Sequence, residues 1–164
     1  MLLYLVQHGK AKPKEENPDR PLTAEGRREI DAVMLLMMQY GAVTATRVLH
    51  SGMLRAAETA QMIGSRLNVD AAETDGLSPM DDPSIWADRL GDEGQDTMLV
   101  GHMPHLSRLA SRLLCGDPDA GLVEFSNGGI VCLASEGSED ARGGEGPAAP
   151  HWTLKWSIPP SLLR

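Results

Sequence analysis

The chain has few cysteines, few aromatic residues and no excess of positive charge. Cys115 and Cys132 are its only cysteines; they form no C-x-x-C pair and lie in no cluster with zinc-site spacing, which favours a reduced, cytoplasmic protein without a structural metal. Aromatic residues make up 4% of the chain, so the core must consist of aliphatic side chains and methionine. The 23 acidic residues outnumber the 15 basic ones, and the net charge of -8 argues against a broad basic face for nucleic acid. Any anion site must therefore be local.

The chain also lacks a long hydrophobic run. The longest, Ala32 to Met38, is far too short to span a membrane, and no basic leader precedes the short apolar stretch at the amino terminus, so it does not read as a secretion signal. A hydrophobic fraction of 41% and a charged fraction of 23% are typical of a globular protein. We therefore expect residues 1–164 to form a single soluble domain without membrane contact. The oligomeric state is left open, and a monomer is compatible with the sequence.

Strands and helices alternate along the chain. The unbroken apolar stretch at 2–6 predicts a strand buried on both faces, as in a parallel sheet that is covered by helices. Further strands are predicted at 46–49, 96–100, 122–125, 129–134 and 152–158, and helices at 24–40 after the N-cap Thr23, at 54–67, at 84–90 and at 104–114. The intervening segments include an acidic, turn-rich stretch at 70–83 and a mobile hairpin insertion at 135–150. This order predicts a three-layer α/β/α sandwich with a mostly parallel central sheet.

Polar residues follow three of the predicted strands. His8 comes directly after the first strand, and Gly9 has no side chain to crowd a group that approaches the imidazole. His50 to Arg55 follow the second strand, and Gly101-His102 follow the third. Because ligands bind at the carboxyl ends of strands in open α/β sheets, two histidines and an arginine should converge there. A neutral imidazole can attack phosphorus while the other two groups bind the oxygens, so this arrangement favours phosphoryl transfer.

These motifs resemble those of the histidine phosphatase superfamily, whose members have the phosphoglycerate mutase-like fold. Members carry R-H-G after the first strand, S-x-x-x-R-A-x-x-T-A after the second and G-H-x-P after a later one. The corresponding residues read QHG at 7–9, SGMLRAAETA at 51–60 and GHMP at 101–104. The small size and the segment RPLTAEG at 20–26 are most similar to the SixA-type phosphohistidine phosphatases. The resemblance implies a phosphatase that needs no cofactor or metal and acts on a phosphorylated protein or a small phosphate ester.

The resemblance also assigns a role to each matching residue. His8 corresponds to the nucleophile that becomes phosphorylated, and Arg55 to an arginine that clamps the phosphoryl oxygens. His102 corresponds to the second histidine of the phosphate pocket, and Arg20 to a basic residue near the pocket mouth.

The position before the nucleophile departs from the family pattern. Gln7 stands where the family has an arginine, so its contact with phosphate would lack both the charge and the forked pair of donors. Lys10 either restores part of that charge or, as the better interpretation, is a solvated loop lysine. The loss of the arginine also motivates an alternative function, a catalytically weak homologue that binds phosphate or a phosphoprotein.

The proton donor is the second departure. Larger members place a Glu in the segment that here reads DGLSP at 75–79, and Asp75, Asp81 and Asp82 are either substitutes for it or solvated loop residues. A phosphohistidine tolerates a missing acid, because it can depart as neutral imidazole, whose conjugate acid has a pKa of about 6.5. We therefore favour phosphohistidine as substrate, with a small-molecule phosphomonoesterase as the alternative if one of these carboxyl groups lies beside the pocket.

The three remaining histidines match no motif. We expect His50 to serve packing, and His105 and His151 to lie on the surface.

Overall fold

The computed structural model describes residues 1–92, 94–136 and 150–164. Within these ranges it contains six strands, four α-helices and one 3-10 helix. The strands are β1 (Leu2–Gln7), β2 (Arg47–His50), β3 (Ala71–Glu73), β4 (Thr97–Gly101), β5 (Ile130–Glu136) and β6 (His151–Ile158). The α-helices are α1 (Ala24–Gln39), α2 (Leu54–Leu67), α3 (Ser84–Gly91) and α4 (His105–Cys115), and the 3-10 helix is Pro160–Leu163.

The six strands form one mixed sheet in the order β3-β2-β4-β1-β5-β6. The first four of these are mutually parallel, β5 is antiparallel to β1, and β6 is antiparallel to β5. The predicted α/β sandwich with a mostly parallel sheet is confirmed. Because β2, β4 and β1 are adjacent and parallel, the residues that follow them meet at one edge of the sheet.

The alternating side chains of β1 build a core on each face of the sheet. Tyr4 and Val6 belong to the cluster formed with α1 and α2, whereas Leu3 and Leu5 belong to the cluster formed with α3 and α4. All four are fully buried. At the start of α1, Thr23 acts as the predicted N-cap, since its Oγ1 accepts from the Gly26 N–H at 2.9 Å.

Two predicted elements differ in the structure. The edge strand β3 lies inside the predicted turn-rich segment; it has only three residues and is half-exposed or exposed, so no hydrophobic alternation marks it. The prediction of a strand at 122–125 is wrong. Leu122 is 53% exposed while Val123 is buried, so the apolar run reflects one packed side chain and not a paired strand.

Residues 126–129 form a turn that returns to β1. The Gly128 N–H donates to the Gln7 carbonyl oxygen at 2.9 Å, and Gly128 has a φ of +76°, which favours glycine.

The predicted insertion at 135–150 begins too early, because Ser135 and Glu136 belong to β5 and pair with Trp152 and His151 of β6. Residues 137–149 lie outside the described part of the chain, so the rest of this prediction is not tested. Among the described helices, none has the length and apolar character needed to cross a bilayer.

Candidate active site

His8 directly follows β1 at the edge where the parallel strands end. Its backbone N–H donates to the carbonyl oxygen of Gly101 in β4 at 3.1 Å, and its carbonyl oxygen accepts from Asn127 Nδ2 at 3.0 Å. The backbone of His8 is therefore held from two sides, and the residue is buried.

Gly9 has a different role from the one predicted. A Cβ atom at Gly9 would lie 2.6 Å from Ile30 Cδ1 and 3.2 Å from Leu22 Cδ2, so the missing side chain makes room for α1 and the segment before it. The Gly9 N–H donates to Thr59 Oγ1 at 3.0 Å, and Thr59 Oγ1 donates to the Arg55 carbonyl oxygen at 2.7 Å. Thr59, which belongs to the second motif, thus ties the turn after His8 to the first turn of α2.

The ring of His8 is arranged as a neutral nucleophile. Its Nδ1 lies 2.7 Å from the Gly9 carbonyl oxygen, which can only accept, so the ring proton is on Nδ1. The Nε2 lone pair then faces Arg55 Nε, which donates to it at 3.3 Å. Burial, together with the positive charges of Arg55 and Arg20, lowers the pKa of His8 to about 4. At neutral pH the imidazole is uncharged, and Nε2 carries an unprotonated lone pair that can attack an electrophile once Arg55 Nε releases it.

His102 lies beside His8. It follows β4, is buried, and its ring centroid is 5.1 Å from that of His8 with the two planes inclined at 52°. Its Nε2 is 2.6 Å from Ser51 Oγ, at the end of the neighbouring strand β2. Burial, followed by repulsion from a protonated His8 and from Arg55, lowers the pKa of His102 to about 3. The site therefore contains two neutral imidazoles next to one guanidinium.

Arg20 lies within electrostatic range of this pair. It has a φ of +51°, and its Nε donates to the Lys12 carbonyl oxygen at 3.1 Å, which anchors the side chain across the loop between β1 and α1. Its charge contributes to the lowered pKa of His8, Arg55 and His102. The structure thus brings Arg20, His8, Arg55 and His102 together, as the motifs predict.

Gln7 is not joined to this cluster. Among the described residues, no hydrogen bond links its side chain to His8, Arg55 or His102, and its buried Oε1 has no partner. The side chain instead lines a neighbouring cavity of about 220 Å³. Lys10 also lines that cavity.

Lys10 is occupied by the carboxylates of α1. Its Nζ lies 2.7 Å from Glu25 Oε1 and 3.1 Å from Glu29 Oε1, and these hydrogen bonds raise its pKa. Glu29 is also paired with Arg164. The structure therefore places Lys10 in the loop after β1, with a partly exposed side chain that forms ion pairs with α1, and this placement favours the loop lysine over a substitute for the missing arginine.

The three candidate proton donors, Asp75, Asp81 and Asp82, each form a hydrogen bond or an ion pair with residues other than His8, Arg55 and His102. Arg89 pairs with Asp75 at 2.9 Å and lowers its pKa, and the backbone N–H of Ser84 lowers the pKa of Asp82. Asp81 Oδ2 accepts from the Ser78 N–H at 2.9 Å. In the described part of the chain none of these carboxylates hydrogen-bonds to His8, Arg55 or His102, and the pKa shifts of Asp75 and Asp82 favour the ionised form.

The other histidines are placed as follows. His50 packs at the end of β2 as expected, and its Nδ1 accepts from the Gly52 N–H at 3.1 Å. His151 is exposed, which confirms its prediction. The prediction for His105 is wrong: it is fully buried at the start of α4, and neither ring nitrogen has a hydrogen-bond partner among the described residues.

Three residues that hold the site, Ser51, Thr59 and Asn127, were not predicted from the sequence. Ser51 and Thr59 stand in the second motif, so their positions were visible although their contacts were not. Asn127 follows a segment mistaken for a strand and contacts His8 across 119 residues, and no local pattern indicates it.

Comparison with known proteins agrees with this site. The family model of the histidine phosphatase superfamily (branch 1) matches residues 3–96, which is more than half of the chain. The chain therefore belongs to the histidine phosphatase superfamily, and this membership supports phosphatase activity. The match includes His8 and Arg55 and ends before His102, which the fold places beside them. No curated protein matches the chain.

Solved structures with the same fold include several phosphatases. The protein histidine phosphatase SixA in complex with tungstate is 25% identical, with a TM-score of 0.79, and the match covers 100% of both chains. A putative SixA from Agrobacterium tumefaciens is 22% identical, with a TM-score of 0.71 over 96% of this chain and 97% of the other. The α-ribazole phosphatase from Shigella flexneri is 17% identical, with a TM-score of 0.71 over 94% and 95%. The phosphoglycerate mutase-like fold is thereby confirmed.

Proposed function

We propose that this protein is a phosphatase that forms a phosphohistidine on His8 and removes phosphate from phosphohistidine in another protein, such as a phosphotransfer domain. The observation that carries the proposal is the His8 ring, which is neutral, protonated on Nδ1 and turned with its Nε2 lone pair toward Arg55, with the ring of His102 beside it.

In the first step, His8 Nε2 attacks the phosphorus of the substrate. The Nε2–P bond forms, the bond from phosphorus to the leaving group breaks, and the leaving group keeps the electron pair. Arg55 offers charged donors to the phosphoryl oxygens, while Arg20 adds positive charge at the mouth. The Gly9 carbonyl stabilises the Nδ1–H of the ring as it becomes phosphorylated.

In the second step, a water molecule attacks the phosphorus of phospho-His8. The new P–O bond forms as the Nε2–P bond breaks, His8 recovers its lone pair, and the water gives up one proton to solvent or to phosphate. The side chains of the chain suffice for both steps, and the proposed reaction uses no metal and no cofactor.

The acid groups support phosphohistidine as the substrate. Asp75 and Asp82 are held ionised and Asp81 caps a turn, so none is poised to protonate an alcohol that leaves from a phosphate ester. A phosphoimidazole that is protonated by solvent on its other nitrogen leaves as neutral imidazole and needs no such donor. The similarity to a structure described as a protein histidine phosphatase agrees with this preference.

One observation favours a second candidate function. The Gln7 side chain makes no hydrogen bond to the cluster among the described residues, so the site lacks one charged donor that the family pattern supplies. A protein of this kind would bind phosphate or a phosphoprotein and turn it over slowly. A small-molecule phosphomonoesterase is the third candidate.

Hydrolysis assays separate the candidates. The protein is incubated with a radiolabelled phosphohistidine protein and, in parallel, with p-nitrophenyl phosphate, and kcat/KM is compared. A higher value on phosphohistidine is expected; preference for the ester would indicate the phosphomonoesterase, and phosphate binding without turnover would indicate the binding protein. An acid-labile phosphoenzyme should form in the parent and in the exposed control His151→Ala, and not in His8→Ala. Full activity of His8→Ala would refute the mechanism.

A further inference from the structure

Glu58 joins helix α2 to the segment that carries Arg20. Its Oε2 accepts from the Leu22 N–H at 2.8 Å, and its Oε1 accepts from Arg27 Nη2 at 2.6 Å. The Glu58 side chain is only 19% exposed, whereas that of Arg27 is 45% exposed. The carboxylate is therefore held between α1 and the residues that precede it, and its bond to the Leu22 backbone is the more protected of the two.

The loop around Arg20 is held together by its own hydrogen bonds. The Lys12 N–H donates to the Pro21 carbonyl oxygen at 2.8 Å, and Arg20 Nε donates to the Lys12 carbonyl oxygen at 3.1 Å. Ala11 and Leu22 form an antiparallel bridge next to these contacts. The two arms of the loop are thus tied to each other, and the hydrogen bond that the Leu22 N–H donates to α2 restrains the position of Arg20 as well.

Arg20 is repelled by the other arginine of the site. Arg55 lies in the first turn of α2, and its pKa is lowered by burial and then by the positive charge of Arg20. This repulsion favours a displacement of the loop away from α2. Glu58 lies three residues after Arg55 on the same helix, so its bond to the loop backbone links the two arginine-bearing segments and opposes that displacement.

We infer that Glu58 is a positioning residue for phosphoryl binding, which holds Arg20 at the mouth of the pocket through the Leu22 backbone. Glu58 does not contact the phosphoryl group in this arrangement. A carboxylate in contact would repel the phosphoryl oxygens, and both oxygens of Glu58 already accept N–H groups. The inference rests on the proposed phosphoryl site and adds a residue that lies outside the pocket.

The competing interpretation is that Glu58 only stabilises the packing of α1 on α2. A purely structural Glu58 would affect phosphate binding equally whether or not Arg20 is present. A positioning residue has its effect through Arg20, so its removal should have no consequence for binding once Arg20 has been removed. A double-mutant cycle with these two residues separates the interpretations.

The test measures binding of inorganic phosphate by calorimetry to the parent, Glu58→Ala, Arg20→Ala and the double variant. Glu58→Ala should weaken binding about 3- to 10-fold, because displacement of Arg20 removes part or all of the contribution of one charged group. In the Arg20→Ala background the same substitution should change the affinity by less than about twofold. An equal loss in both backgrounds, or parental affinity of Glu58→Ala, would overturn the inference.

A second measurement follows the charge of Arg20 at the nucleophile. This charge contributes to the lowered pKa of His8, so NMR titration should give a higher pKa in Glu58→Ala and in Arg20→Ala than in the parent. Loss of the Glu58 carboxylate would by itself lower this pKa, so a rise reports displacement of Arg20. An unchanged or lower pKa of His8 in Glu58→Ala would overturn the inference, and so would a further rise when Glu58→Ala is added to Arg20→Ala.

Glu58→Gln is the conservative variant. It keeps an oxygen for the Leu22 N–H and should bind phosphate within about threefold of the parent, whereas a loss as large as that of Glu58→Ala would count against the Leu22 contact. If Glu58→Ala does not fold, Glu58→Asp replaces it. The shorter side chain draws the carboxylate away from Leu22 and should weaken binding only while Arg20 is present; parental affinity would count against the inference.

Asp31→Ala is the matched control. It breaks the exposed ion pair between Asp31 of α1 and Arg66 of α2, which joins the same two helices at 3.2 Å. Phosphate affinity and the pKa of His8 should both stay at the parental values. A loss of affinity as large as that of Glu58→Ala would mean that any contact between α1 and α2 has the effect, and would overturn the inference.

Failure of this inference is distinguishable from failure of the proposed function. A parent protein that binds phosphate, loses affinity in Glu58→Ala only while Arg20 is present and hydrolyses neither substrate would refute only the function. Normal hydrolysis with unchanged phosphate affinity in Glu58→Ala would refute only the role of Glu58. A parent that binds no phosphate would overturn both.

Discussion

Lowering the pH from 7 to 4.5 should weaken the fold through His8 alone by about 2.5 kcal/mol. The unfolded chain holds this imidazole at its ordinary pKa of 6.5, whereas burial, together with the charges of Arg55 and Arg20, lowers the pKa to about 4 in the folded protein. Between the two pH values the unfolded state binds more protons, so the free energy of unfolding falls as the pH falls. The lowered pKa of His102 adds a loss of the same sign.

The measurement is urea unfolding of the parent and of His8→Gln at both pH values. Gln has no titrating group, so the loss between pH 7 and pH 4.5 should be about 2.5 kcal/mol smaller in this variant than in the parent. Val6→Ala is the matched control, because it removes buried apolar contacts from the same strand and should lower the free energy of unfolding equally at both pH values.

An equal loss in the parent and in His8→Gln would refute this reasoning. It would mean that His8 has an ordinary pKa in the folded protein and is not held as a neutral, buried base. The proposed nucleophile would then be largely protonated in mildly acidic solution.

Three further changes test the site and its surroundings. Arg55→Ala should lower kcat about 10²- to 10³-fold by loss of charged donors to the phosphoryl group, and steady-state kinetics on p-nitrophenyl phosphate would show it; a change below threefold would contradict the role. Gln7→Arg should raise phosphatase activity about tenfold. Because Lys10 is paired with Glu25 and Glu29 of α1, the effects of Gln7→Arg and Lys10→Ala on activity should be additive in the double variant. Strong coupling between the two substitutions would show that Lys10 compensates for the missing arginine. His105→Leu should raise the free energy of unfolding by about 1–3 kcal/mol at pH 7, because it removes a buried ring that has no hydrogen-bond partner among the described residues. A loss of stability in urea unfolding would contradict this.

The sequence correctly predicted those strands and helices that are determined by residues close to one another in the chain. The unbroken apolar stretch before His8 and the cap at Thr23 place β1 and α1 correctly, because strand burial and N-capping depend on neighbouring residues. The three-residue strand β3 has no such signal. Its pairing with β2 is decided by contacts across the sheet, which the sequence does not display.

The burial of His105 could have been read from the sequence. Leu106, Leu109 and Ala110 follow it at the spacing of one helix face, and all are fully buried. The surface prediction rested on the lack of a motif match and did not use the position of His105 on that face. The position next to the apolar stripe decides its environment, and as a consequence neither ring nitrogen has a hydrogen-bond partner within the part of the chain that the structure describes.

The contacts of Gln7 and Lys10 could not have been predicted in this way. Lys10 pairs with Glu25 and Glu29, which lie 15 and 19 residues away, and these pairs depend on how α1 docks against the turn after β1. The motif shows that an arginine is missing. It does not show that the nearest lysine is already paired with Glu25 and Glu29 of α1, which only the folded structure reveals.

The positive charges of Arg55 and Arg20 raise the free energy of the site in the unliganded protein, and the same charges would favour binding of a phosphoryl group. The charges of Arg55 and Arg20 oppose protonation of His8 and His102, and each arginine also faces the other's charge. A phosphoryl dianion relieves that repulsion and supplies the negative charge that the buried cluster lacks. Burial, together with these arginine charges, thus keeps His8 unprotonated in the free protein, and the same positive charges would favour a phosphoryl ligand.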